Sequence, residues 1–262
     1  MTKYKDPITR AYETKLSKEM SLGQEDSSYS QKDLWVLNQL ADLPSVLDVG
    51  CGEGRMYNHL AQTKSEIHGL DISETAIRFC IEKGYTTANV CYIDQETFPY
   101  EDNSFESAIC FETLEHLVAP IHALAEMNRV IKSDGLLGIT CPNVGFFLSR
   151  IFFLAGHFTD LRDVAQPPLH LRFFTKRTLS NLLERTGFKI VKVAGFPTSA
   201  NRLRKPVHGM LWALAKIRPS LFAPSLVLIA KKIGEPKEFE WNPPPHTSLT
   251  GLKWISRLWK ST

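Results

Sequence analysis

The sequence predicts a doubly wound, mostly parallel α/β sheet of seven strands with helices on both faces. Three observations carry that expectation. Short apolar runs alternate with segments of helical period, as in a parallel sheet covered on both sides. The first run, "SVLDV", passes straight into the glycine turn "GCGEG". The second run, "EIHGLD", closes on an acid, Asp71, 21 residues after Gly50.

In chain order the strands are read at "SVLDV", "EIHGLD", "NVCYID", "SAICFE", "LLGITC", "FKIVKVA" and "SLVLIAKK". Between the second and third, "SETAIRFCIEKG" offers Ser73 as N-cap and Gly84 as C-cap, with Ile77, Cys80 and Ile81 on one face. "APIHALAEMNRVIKSDG" spaces Ile121, Leu124, Ala125 and Met127 or Asn128 helically and predicts a helix running to Gly135. "TKRTLSNLLERTG" does the same with Leu179, Leu182 and Leu183, ending at Gly187.

This reading divides the chain into a helical segment at 1–44, a main domain at 45–234 and a tail at 235–262. Residues 143–174 form an insertion rich in Phe, placed where a lid or substrate wall would sit. The tail carries "NPPP" and then "LKWISRLWK", a short basic-aromatic helix of interfacial character.

At 262 residues, 43% hydrophobic and 23% charged, the composition is that of a soluble globular protein with one main domain. The net charge of +3 gives no argument for DNA, and the first half lacks the basic aromatic groove that RNA would require. From Asn201 onward, however, eleven basic residues face three acidic ones. That excess suits an anionic partner such as a membrane surface, or a solvated tail. The N-terminus lacks the apolar region of a signal peptide, and "VGFFLSRIFFLA" and "LFAPSLVLIA" are too short to span a bilayer. Cys51, Cys80, Cys91, Cys110 and Cys141 form no CxxC pair and read as reduced core residues. The expectation is a cytoplasmic protein, peripheral to a membrane at most.

The glycine turn indicates a ligand. Gly50, Gly52 and Gly54 leave backbone bare for close approach. A dinucleotide fingerprint would place a small residue at position 55, where Arg55 stands. The spacing is G-x-G-x-G, with Asp48 before it and Glu53 within it, which disfavours a pyrophosphate.

"VLDVGCGEG", "GLDIS", "DQETFPYEDNSFESAICFETLEHL" and "EMNRVIKSDGLLGITCPN" together resemble, in order and spacing, the motifs of the class I S-adenosylmethionine-dependent methyltransferases, with a Rossmann-like fold. The resemblance implies S-adenosylmethionine as cofactor, held by Asp48, Gly50, Cys51, Gly52, Gly54, Asp71, Ile72, Asp94, Gln95, Phe111 and Glu112. Asp71 would accept from ribose hydroxyls, as its offset from the glycines also indicates, and Asp94 from the adenine amino group.

The reactive groups are expected after the fourth strand and in the insertion. His116 and His170 share the expectation of a proton acceptor, with Arg172 steering an anionic substrate. Glu112, Glu115 and His116 form E-x-x-E-H, similar to a metal signature of some O-methyltransferases acting on small RNAs and on ubiquinone precursors. With His170 these residues could hold Mg²⁺ or Mn²⁺, a cation that the pattern admits without requiring. The acceptor expected is a small-molecule, lipid-linked, quinone-like or glycan oxygen. The alternatives are a metal-dependent RNA 2′-O-methyltransferase and a cofactor-binding partner without catalysis. Oligomeric state is left open.

Overall fold

The computed structural model describes residues 30–157, 170–196 and 205–237. Most of the expected N-terminal segment and the basic-aromatic tail therefore lie outside the described residues, as does the middle of the insertion.

The elements run α1 (Gln31–Gln39), β1 (Ser45–Val49), α2 (Tyr57–Leu60), β2 (Glu66–Asp71), α3 (Glu74–Lys83), β3 (Thr87–Val90) and β4 (Phe105–Phe111). A 3₁₀ turn (Leu114–His116), α4 (Pro120–Val130), β5 (Ile131–Pro142), α5 (Phe147–Leu154) and α6 (Lys176–Arg185) follow. The described chain closes with β6 (Phe188–Ala194), α7 (Lys205–Ile217), α8 (Pro219–Phe222) and β7 (Ser225–Lys232). The strands form one seven-stranded sheet in the order β3-β2-β1-β4-β5-β7-β6. β1 to β5 pair in parallel, and β7 runs antiparallel to both β5 and β6. Strand order reverses between β1 and β4, so the ligand crevice of such a sheet opens at their carboxyl ends.

All five residues of β1 are buried because both faces are covered, which is why "SVLDV" reads as an unbroken apolar run around one acid. One core packs Leu47, Val49 and Leu70 against Leu124 and Met127 of α4 and Leu179 and Leu183 of α6. The other packs Val46 and Ile67 against Val36 of α1, Leu40 at its C-cap, and Ile77 and Cys80 of α3. α3 starts and stops where its caps predict: the Ser73 hydroxyl accepts from Ala76 N–H, and Gly84 adopts φ +110°. All five cysteines are free and buried.

Several expectations are corrected. Ile81 is 49% exposed, so the buried stripe of α3 is Ala76, Ile77 and Cys80. The third strand ends at Val90; Cys91 N–H still bonds Asp71 O, but Gln95 and Glu96 N–H then turn back onto Tyr92 O. Asp94 thus stands in a turn beyond the strand. The helix expected to reach Gly135 stops at Val130, because Ile131 is drawn into the sheet opposite Phe105. Gly135 is no cap; a Cβ there would lie 2.8 Å from the Glu106 carbonyl oxygen, so the glycine lets β5 close on β4. β4 and β5 accordingly begin earlier than read, and α7 and α8 were not read from the sequence.

Candidate active site

The glycine turn leaves β1 with three left-handed residues, Gly50 (φ +76°), Gly52 (φ +50°) and Gly54 (φ +69°). Gly50 has a second reason to lack a side chain, since a Cβ would collide with the Thr113 side chain. That contact sets the turn directly against the segment after β4. Gly50 and Cys51 N–H both bond Leu70 O, at 2.8 and 3.0 Å, and tie the turn to the end of β2.

Asp71 is 5% exposed, and its carboxylate is held from two sides: Gly52 N–H donates to Oδ2 and Ser73 N–H to Oδ1, each at 2.9 Å. Burial pushes its pKa up against these hydrogen bonds. An ionised carboxylate offers about four acceptor positions. Asp71 therefore keeps acceptor capacity for hydroxyl donors beside the turn. Ile72 is half-buried next to it.

Asp48 is also buried and accepts from the Tyr85 hydroxyl at 2.8 Å. Burial raises its pKa to about 7, with a further push from Asp71 and opposition from the Tyr85 hydroxyl and Arg55. Two buried acids at a bare, left-handed turn resist a polyphosphate and suit a ligand with hydroxyl donors and positive charge. S-adenosylmethionine has both. Among the thiols, the hydrogen bond from Cys80 Sγ at 3.5 Å, together with burial, pushes Cys51 up, and burial pushes Cys91 up to about 12.

Asp94 Oδ2 accepts from Val118 N–H at 2.8 Å and Ala119 N–H at 3.4 Å, at the entrance to α4. A carboxylate there also meets the positive end of the helix. Gln95 is half-buried in the same turn, and Phe111 is half-buried at the end of β4.

Glu112 departs from its expected place. It adopts φ +48° and its carboxylate pairs with Lys32 of α1 at 2.6 Å. Only the three residues after Thr113 form a 3₁₀ turn, so Glu112, Glu115 and His116 do not share one helical face. The cluster that does form is Glu115, His116 and His170, one ligand atom of each within 4.8 Å of the others. The two imidazole centroids are 5.0 Å apart. The backbone explains the meeting: Leu171 and Arg172 N–H donate to Glu115 O at 2.8 and 2.9 Å, laying the run after His170 along the 3₁₀ turn. Arg172 itself donates from Nη2 to Val118 O, pinning that run.

Sequence reasoning missed Tyr85, Lys32 and Thr113. Their roles come from contacts between distant segments, with no local pattern to reveal them.

Comparisons with known proteins bear on the family and the fold. The family described as "Methyltransferase domain" matches residues 4–193. A probable S-adenosylmethionine-dependent methyltransferase of Mycobacterium tuberculosis is 30% identical over 150 residues, 57% of this chain and 50% of its own. The chain thus spans about half the length of the mycobacterial relatives it matches. An uncharacterized protein of Methanocaldococcus jannaschii is 27% identical across 88% of this chain and 90% of its own. The crystal structure of a SAM-dependent methyltransferase from Archaeoglobus fulgidus superposes with TM-score 0.53 at 23% identity, covering 78% of this chain and 95% of that one.

Proposed function

The chain belongs to the S-adenosylmethionine-dependent methyltransferase family, and from that membership we propose that it methylates an oxygen of a small-molecule, lipid-linked, quinone-like or glycan acceptor. S-adenosylmethionine is the cofactor of the family, and when bound it supplies an electrophilic methyl group on a sulfonium. The bare turn of Gly50, Cys51, Gly52 and Gly54 forms its cradle. Asp71 takes the ribose hydroxyls, Asp94 and Gln95 the adenine, and Ile72, Phe111 and the Glu112 backbone the sides. Asp48 faces the cationic end, which would displace its proton and draw out its negative charge.

The observation that carries the acceptor reading is the His116–His170 pair, set by the same segment whose Thr113 abuts Gly50. A hydroxyl acceptor must lose its proton as the oxygen–carbon bond forms, and an imidazole nitrogen of this pair takes it. Insertion 143–174 is proposed as the acceptor wall. Its ends are tied where Val144 N–H donates to Phe174 O at 3.0 Å.

The test begins with calorimetric titration of S-adenosylhomocysteine, followed by transfer of a labelled methyl group to fractionated lipid, quinone and glycan acceptors. Binding plus label on an acceptor oxygen is the expected result. Binding without transfer to any acceptor would move the chain to the non-catalytic partner reading, and no binding by the folded protein would end both.

A second reading has one observation in its favour: the buried Glu115 carboxylate and the two histidines gather within 4.8 Å, a donor set that suits a divalent cation. EDTA-sensitive turnover, restored by Mg²⁺ or Mn²⁺, is its mark, and EDTA-insensitive turnover removes it.

A further inference from the structure

We propose that the cavity between α5, the start of α6 and α8 binds a phosphate group carried on a lipid, so that α5 seats on an anionic bilayer. The cavity holds about 800 Å³, and Arg150, Lys176, Arg177 and Arg218 line it, with no acid among the described residues of its walls. Thr175 and Ser220 add hydroxyl groups. Four cations converging without a counter-charge repel one another, and an oxyanion relieves that repulsion. Arg150 is held in place, its Nε–H donating to Gly145 O at 2.9 Å.

The second observation is α5 itself, which contributes Arg150. None of its residues is buried. Leu148, Ile151 and Phe152 follow the i, i+3, i+4 spacing of one face and are 41, 54 and 46% exposed; Leu154 is 90% exposed. The helix is anchored at its first turn, with the Phe147 and Phe222 rings 5.5 Å apart. An apolar helix face beside a cation-lined cavity complements the boundary of acyl chains and anionic headgroups.

The location serves the acceptor reading on which this inference builds. Thr175 in the cavity wall is five residues from His170, so at full extension no more than about 18 Å separates them. A phosphate held in the cavity would keep a lipid-borne acceptor within reach of the histidine pair. No helix among the described residues is long and apolar enough to cross a membrane. The contact proposed is therefore peripheral.

The test measures co-sedimentation of the full chain, without S-adenosylmethionine, with vesicles of phosphatidylcholine alone or mixed equally with phosphatidylglycerol. Its result is thereby independent of methyl transfer. Binding is expected only to the mixed vesicles, weakening as salt rises. The pair Arg150→Gln with Arg218→Gln should lower it about tenfold or more, since each cation near such a surface counts for roughly a factor of five. Ile151→Asp with Phe152→Asp should lower it comparably; all four side chains are exposed, and S-adenosylhomocysteine binding reports that the variants fold. Equal binding to both vesicle types, or binding unmoved by both variants, overturns the proposal. So does binding of inorganic phosphate or glycerol phosphate without vesicle binding, which would leave a soluble anion as the occupant.

Discussion

Asp48 shows how much one residue can reveal. Its folded pKa of about 7 stands above the ordinary carboxyl value near 4, so the folded chain holds that proton more tightly than the unfolded one. The sign follows: the contribution is fully present below about pH 4 and is lost as pH rises through 7, amounting to at most about 4 kcal/mol. Asp48→Asn, with its amide oxygen still accepting from Tyr85, should be more stable than the wild type at pH 8 and lose that advantage by pH 4. Urea unfolding at the two values checks it; parallel pH profiles for the two proteins would contradict the burial argument. At His116 and His170 the expectation concerns rate. Replacing either by Gln should lower kcat by roughly 10² or more while leaving S-adenosylhomocysteine affinity unchanged. A fall in affinity with unchanged kcat would assign the pair to binding.

At the scale of elements, the glycine turn and the helix caps carry the predictions. Gly50→Ala meets both a left-handed φ and the Thr113 side chain, so it should abolish cofactor binding in titration while the sheet still folds. α6 starts with a reciprocal cap: Thr178 N–H donates to Thr175 Oγ1 at 3.2 Å and Thr175 N–H to Thr178 Oγ1 at 2.9 Å. Thr175→Ala should cost about 1 kcal/mol, read as a lowered urea midpoint at constant slope. These elements were also the legible ones. β1, β2, β6 and β7 fall at the bounds read from the sequence, α3 begins at its sequence-read cap and α6 lies within the segment read for it, because apolar runs, helical spacing and capping residues are local signals. The end of α4 was not legible, since pairing of Ile131 with Phe105 depends on a distant strand. Nor was α7, whose Pro206 and Gly209 weaken the helical signal. In the site the turn and the offset of Asp71 were readable from spacing, and the two histidines only through the family resemblance. The displacement of Glu112 was not, because Lys32 reaches it from 80 residues away. The basic cavity is assembled from three separate segments and has no sequence signature at all.

The whole molecule couples these sites to its stability. A ligand that binds only the folded chain, supplied at 100 times its Kd, stabilises by about 2.7 kcal/mol, which for a domain of this size raises Tm by roughly 5 to 10 °C. Thermal unfolding with S-adenosylhomocysteine should show that rise, and Gly50→Ala should lack it. The same scale gives meaning to the position of β7 between β5 and β6. Growing from its N-terminus, the chain delivers β5 first, then β6, and the strand that joins them last. Until β7 emerges from the ribosome, β5 presents an open edge and β6 has no neighbour in the sheet. A nascent chain halted before Ser225 therefore exposes unpaired backbone along a strand made for burial, a template for aggregation that chaperones would have to cover.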